Sequence, residues 1–407
     1  YPWAWTEGGA PNEAQLATLG RKFGYFNGYS VCQPSQCLYS ATGSTDDWSY
    51  GVLGVASFTF EMGTTFFQSC SSYESTIAPN NLPAILYAFI PDLQPYNQFK
   101  FQGDQLTTGG IHYDWQYRNF NLFGEAAMDE DGGKAFISGL LISIDPRIDL
   151  AMIYRNYGKD FHSLYANAFA ESSTTDNESG LYSGIILRPV KGWTISAYLD
   201  LFEKPWLDFG IDAPSNGIEM LAQVTYKPNK ILEIYGRWKD ESKQQNSTLN
   251  DEPLDYIVGV RKQNLRFNLS YKASASFSLH SRAEWVFFKE EKISAQHGFL
   301  AYQDIIYRKL GSPLQLTGRV CLFDADTYDA RIYAYENDVL YAYSIPAFSN
   351  QGMRFYAIAR YTITRGIDVW VRYAQTYYTN IDVIGSGLDE INGNTKSEVK
   401  AEVRFKF

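Results

Sequence analysis

The segment Val399–Phe407 sets the narrowest limit on what this chain can fold into. Each odd-numbered residue in it is apolar, and each even-numbered one (Lys400, Glu402, Arg404, Lys406) is charged. A period of two belongs to an extended strand, whose side chains point alternately to opposite faces. One face of such a strand meets an apolar phase and the other a wet one. A water-soluble sandwich would vary its polar face more.

The pattern recurs upstream. Ile218–Tyr226, Leu314–Phe323, Met353–Ile363 and Ile367–Tyr378 alternate well, Lys134–Ile144 and Ile148–Arg155 less regularly. Short turns (145–147, 189–192, 227–230, 272–276, 309–313 and 364–366) take turns with long polar links (157–179, 203–216, 241–253, 290–297, 326–351 and 379–394). Short connections on one side and long ones on the other are the habit of transmembrane β-barrels, and strands of about 10 residues suit a tilted crossing. The aromatic Phe407 closing the last strand is the usual sorting mark of bacterial outer-membrane barrels. The spacing predicts an outer-membrane β-barrel of about 14–16 antiparallel strands, 16 being favoured because single-chain bacterial barrels have even counts. The open points are whether Leu254–Tyr271 is one strand or two and whether Gln98–Leu106 pairs at all. A soluble β-sandwich or propeller is the competing fold. Trp370, Tyr373, Tyr377 and Tyr378 would suit an interfacial aromatic girdle, although aromatics are also simply good strand formers.

Charge is spread unevenly. Residues 1–99 hold 2 basic and 7 acidic side chains, against 33 basic and 38 acidic in 100–407. That break predicts two regions, 1–95 and 96–407. The net charge of −10 comes with no basic cluster, which argues against nucleic acid as a partner. No apolar run reaches the ~20 residues of a membrane-spanning helix. Outer-membrane lipid and other envelope proteins are the expected partners. The start at Tyr1, without Met or signal segment, is expected of a processed or truncated chain.

The first region reads as partial α/β. Asn12 can cap a helix from Glu13 to about Phe26 that stops at Asn27-Gly28, Val52–Phe60 resembles a strand covered on both faces, and Leu82–Ile90 a short closing helix. Cys32 and Cys37 could close a small disulfide loop in an oxidising compartment, and a zinc site using them with Cys70 is the weaker alternative. Cys321, in a predicted strand, reads as an inert filler.

Four motifs of this region stand in a telling order: Tyr1-Pro2-Trp3, the helix ending Arg21–Tyr29, the segment Leu38–Gly51, and Ser57–Met62. In that order and spacing they resemble the C-terminal part of zinc carboxypeptidases of the carboxypeptidase A/T type. The resemblance implies that Glu61 is the general base and acid acting on a zinc-bound water. It implies that Tyr39 closes over the bound peptide end. It implies that Asp46 lines the floor of the specificity pocket and selects C-terminal Lys or Arg. Read without it, Glu61 is a solvent-facing strand end, Tyr39 a loop aromatic, and Asp46 or Asp47 a turn cap. The family's zinc ligands and carboxylate-gripping arginines fall upstream of Tyr1-Pro2-Trp3. His112, His162, His280 and His297 are scattered and lack ligand spacing, whereas a catalytic zinc needs three protein ligands. The expectation is a truncated carboxypeptidase-like segment that is inactive as written, with no cofactor unless a missing half supplies zinc. The alternative is a barrel-anchored metallocarboxypeptidase completed by upstream residues. Half of an open sheet would leave an apolar edge bare, so either that half comes from elsewhere or the sequence joins two unrelated proteins.

The second region carries its own likeness, in Arg360–Arg365 with Asp368–Tyr378, in Ile384–Ile391 with Gly393–Glu398, and in Tyr333–Asp338 with Ser344–Phe348. These resemble Bacteroidota outer-membrane barrels that carry an upstream helix-hairpin-helix segment, a segment not visible here. The resemblance implies an envelope barrel with a transport or assembly role.

Overall fold

In a computed structural model, which describes residues 1–53, 55–63, 68–89, 95–249 and 255–406, the chain forms two compact units. The larger holds Gln105–Pro205, Ser215–Gln244 and Val258–Phe407. The smaller holds Tyr1–Asp104 together with Trp206–Pro214 and Gln245–Ile257.

The larger unit is one sheet whose strands neighbour each other in chain order. They are β1 (Thr108–Tyr117), β2 (Phe120–Asp129), β3 (Lys134–Asp145), β4 (Ile148–Tyr157) and β5 (Glu178–Leu187). Next come β6 (Trp193–Lys204), β7 (Ser215–Tyr226), β8 (Leu232–Asn246), β9 (Ile257–Lys272) and β10 (Phe277–Glu290). The series ends with β11 (Gln296–Arg308), β12 (Leu314–Ala325), β13 (Asn350–Thr364), β14 (Ile367–Tyr378) and β15 (Thr395–Phe405). Among the described residues the sheet therefore has 15 strands, not the favoured 16. The stretch 254–271 resolves as the single strand β9 (Leu254 itself lies outside the described residues), and 98–106 forms no strand. The even count assumed closure, yet β1 and β15 do not pair, so the sheet is open. The aromatic at position 407 lies outside the described residues.

Register sorts the side chains onto two faces. Asp200, Glu219 and Glu241 sit directly opposite one another across β6, β7 and β8, and Ile358, Arg372 and Lys400 do so across β13, β14 and β15. This is the inner face. On the outer face are Ile111, Tyr113, Trp115 and Tyr117 of β1, Leu199 and Leu201 of β6, Leu316, Val320 and Leu322 of β12, and Val399, Val403 and Phe405 of β15, most of them exposed. Near the long links the outer face turns polar, at Glu203, Asp240, Arg261, Lys289 and Asp324. An apolar belt with a polar margin is thus written into the alternate positions. The proposed girdle splits for the same reason. Tyr373 and Tyr377 point outward and are exposed, whereas Trp370 is 7% exposed on the inner face and Tyr378 packs there on Phe323.

The N-terminal stretch departs from the α/β expectation, since no strand occurs among the described residues of 1–104. It contains α1 (Glu13–Asn27), α2 (Pro34–Cys37), α3 (Thr45–Leu53) and a longer helical run in which Cys70–Ser72 passes through a π-helical turn, Tyr73–Ile77, into Ala78–Phe89. Val52 and Leu53 end α3, and 55–60 is coil that joins no strand among the described residues; the Val55 amide donates back to the Ser49 carbonyl at 3.2 Å. Phe58 and Phe60 instead pack on the cluster of Phe23, Ala84 and Tyr87. Helix α1 stops as expected at Gly28, whose φ of 71° is cheap only for glycine. Asn12 contributes no side-chain cap; its carbonyl accepts from the Leu16 amide at 3.0 Å. Cys32 and Cys37 are joined, which removes both from any zinc site, and Cys70 is exposed. The strand links in this unit are held by Lys22–Asp212 at 2.9 Å and by Trp206, which donates to the Pro95 carbonyl and packs on Phe99.

Gly139 of β3 lies under the Phe123 ring of β2, where a Cβ would collide with it. Gly139→Val should cost about 1–3 kcal/mol by overpacking, read as a lower chemical-unfolding midpoint.

Candidate functional site

The inner face is a field of buried charge, and two of the long links fold down onto it. In β4 the side chain of Arg155 is fully buried. Its Nε donates to Glu178 at 2.6 Å and its Nη1 to Asp200 at 2.8 Å, joining three adjacent strands. Glu178 has capacity left over, and accepts the backbone amides of Glu171 (3.0 Å) and Ser172 (3.1 Å). The Tyr157 hydroxyl donates to the Phe169 carbonyl at 2.9 Å, and the Phe169 ring lies over Arg155. The 158–177 link is thereby pinned to the wall. Further along, Glu171, Glu219 and Glu241 bring three carboxylates together, with Lys239 on Glu219 at 2.7 Å and the Tyr198 hydroxyl donating to Glu219.

The second link, 326–349, is held by more groups. Its Ala330, Ile332, Ala334 and Glu336 are each no more than 2% exposed. A two-residue ribbon pairs Ile332–Tyr333 with Ala347–Phe348, and its apolar side packs on Val286, Leu300, Cys321 and Phe323. Cys321 is indeed the buried filler expected from its strand position. Val339 packs on Tyr356, Ile358, Trp370 and Ala374. Polar contacts fix what the apolar ones leave. Glu336 accepts from Arg354 (2.8 Å) and Arg372 (2.6 Å), and Lys400 reaches Asp338 at 2.8 Å. Arg372 also pairs with Glu398, Arg319 donates to the Tyr335 carbonyl at 2.7 Å, and Arg282 to the Tyr333 carbonyl at 3.0 Å. Gly298 makes room: any Cβ there would run into the Ala330 carbonyl.

The physical logic is mutual neutralisation. Wall strands β12–β15 present arginines on one face, and a buried cation is tolerated only when paired and hydrogen-bonded. The link supplies Glu336 and Asp338 as counter-charges and its carbonyls as acceptors. Arg360 and Arg404 flank Trp370 within 5.2 Å of its ring, and both reach Asp368. What results is a wall whose charged inner face is partly covered by the two links.

The residues singled out in the first region do not form a site of this kind. Glu61 is exposed in coil, and Tyr39 is 73% exposed. Asp46 is buried in the first turn of α3, where the Ser44 hydroxyl caps by accepting from the Asp47 amide and the Asp47 carboxylate accepts from the Ala4 amide. All four histidines belong to the larger unit: His112 in β1, His162 on Asp129, His280 on Ser270, and His297 in β11. The donors present in the smaller unit therefore do not fit a catalytic zinc. Among the described residues, the acidic trio above is the one three-donor group found. Glu336 and Asp338, which carry the interior, stand out in the sequence only as part of a family likeness. The signal that could have marked them is the apolar content of 326–349 (Ile332, Ala334, Val339, Phe348), too high for a link that stays in water.

No protein-family model and no curated protein matches the chain. Solved structures do. A loop-deletion mutant of OmpT, an outer membrane protein of Vibrio cholerae, is 10% identical over 73% of this chain and 89% of its own, with a TM-score of 0.36. The anion-selective porin from Comamonas acidovorans is 7% identical over 74% and 100%, with a TM-score of 0.32. The FpvAI–pyocin S2 complex is 9% identical over 74% and 49%, with a TM-score of 0.45. At such scores the reading below rests on the chain's own geometry.

Two outcomes follow. Arg372→Ala leaves Glu336 and Asp338 short of a partner and should cost about 3 kcal/mol, detected as new protease cleavage within 326–349; Gly298→Val should open the same link. For 158–177, partial burial and then the charges of Glu219, Asp200, Glu241 and Glu178 push the Glu171 carboxyl up to about 7 from 4.5. The raised value means the folded link favours the protonated acid, so its anchoring is strongest below about pH 4.5 and weakens as pH rises through about 7. Proteolysis in 158–177 should be faster at pH 8 than at pH 5, and Glu171→Gln should flatten that difference.

Proposed function

We propose that the chain is a bacterial outer-membrane β-barrel protein with a transport role, its wall formed by β1–β15 and its interior narrowed by 326–349. The observation that carries this reading is the separation of chemistries across one sheet: an apolar outer belt against an inner face of ion pairs. In water that belt would be a large exposed apolar surface, of a kind monomeric soluble proteins avoid. In a bilayer it is the natural contact, and the polar margins at Glu203, Asp240, Arg261 and Lys289 fall where headgroups would lie. The inner arginines and acids then line a water-filled space rather than a dry core.

The narrowing link sets what passes. With Glu336 and Asp338 held by Arg354, Arg372 and Lys400, the link would favour passage of small hydrated ions and solutes over bulky ones. The carboxypeptidase-like reading of the N-terminal unit would need zinc ligands supplied by upstream residues, for Glu61 is exposed in coil and all four histidines lie in the larger unit.

Purified chain added to a planar bilayer should give small, steady conductance steps. Removing 328–345 should raise the step size several-fold, while Glu61→Gln leaves it unchanged. A chain that inserts but conducts no better without the link would contradict the gating part, and one that never inserts would contradict the whole.

A further inference from the structure

The two ends of the sheet are its unspent chemistry. Hydrogen bonds from the Glu130 amide to the Thr107 carbonyl and from the Lys406 amide to the Gly366 carbonyl fix which backbone groups each edge has left over. Bonded and non-bonded pairs alternate along an antiparallel ladder. In β1 the groups of Thr108, Gly110, His112, Asp114 and Gln116 therefore point away from β2, and every residue of that strand is exposed. In β15 the groups of Thr395, Ser397, Val399, Ala401, Val403 and Phe405 point away from β14. Both edge strands keep the full wall pattern, apolar outward and polar inward. Neither holds a proline, so each keeps its full row of outward backbone amides.

Parity decides what can fill the gap. In an antiparallel meander of 15 strands the first and last run the same way, so joining β1 to β15 directly would set them parallel. A second copy inserted in the same orientation meets the same obstacle. An odd number of added strands restores the alternation. We propose that β1 and β15 form an acceptor for one extended segment of about ten residues, supplied by another polypeptide, running opposite to both and apolar at alternate positions. Its outward side chains would continue the belt between Tyr113 and Val403, and its inward ones would meet His112 and Asp114 on one side and Lys400 and Glu402 on the other. This rests on the outer face being lipid-facing.

The probe is a fluorescent peptide with the sequence of Ile367–Tyr378, which already pairs with β15 inside the sheet and runs in the required direction. Added to full chain refolded in detergent, it should bind saturably and slow hydrogen exchange in both 108–117 and 395–405, where a scrambled peptide does neither. His112→Pro removes a free-edge amide without touching the β1–β2 ladder and should weaken binding at least tenfold. Gly110→Pro is the second variant, and circular dichroism checks that each folds. The proposal is overturned if both edges are already protected without peptide, whether by direct joining, by a dimer seen in sedimentation, or by pairing of 98–106. It is equally overturned if the edges are open in a chain that inserts into vesicles, yet the peptide does not bind. A chain that does not enter vesicles at all defeats the membrane reading instead, so the two failures are distinguishable.

Discussion

Backbone hydrogen bonding under an apolar solvent is the constraint from which the rest of this structure follows. Where no water reaches, each amide and carbonyl must find a partner in the protein, at a cost of several kcal/mol for every one left bare. A sheet meets that demand only laterally, strand to strand. This explains why 108–405 runs as one sequential meander with tight turns such as Arg118-Asn119 and Arg365-Gly366, and why its two ends matter more than any interior strand. The apolar outer belt is a consequence rather than a cause, for once each strand is committed to its neighbours only the side chains remain free to suit the solvent.

The inner face solves a second problem. Alternation forces a polar or charged residue inward at every other position, and fifteen strands accumulate more arginine and carboxylate than open water alone would organise. Cross-strand sets such as Arg155–Glu178–Asp200 settle some of it locally. Arg354 of β13, Arg372 of β14 and Lys400 of β15 are instead balanced by a segment remote in sequence, through Glu336 and Asp338. The interior is therefore specified by charge matching, with Val339 on Trp370 and Phe348 on Phe323 adding the packing that fixes its position.

The wall was legible because its rule is local: residues two apart share a face, as Val399 to Phe405 spell out, and short turns announce themselves through Gly, Pro and Asp. Trp370 was misjudged as a girdle residue because composition ignores parity; an even position in β14 faces inward. The in-folded link escaped because its partners, Arg354, Arg372 and Lys400, lie in three different strands, and no local pattern encodes a charge match over such distances. In the N-terminal unit the apolar run through Phe58 and Phe60 was read as a strand on its side chains alone. A strand also needs a neighbour, and here those rings serve a helical cluster around Phe23.

Depth-dependent quenching by lipids brominated along their acyl chains tests the central claim most directly. Single-tryptophan versions of the chain retaining Trp115 or Trp285, both on the outer face, should be quenched strongly by mid-chain bromines. A version retaining Trp370, buried on the inner face beneath Val339, should be nearly indifferent to them. Equal, weak quenching at all three positions would mean that the outer side chains never meet hydrocarbon, and the membrane account would then be wrong.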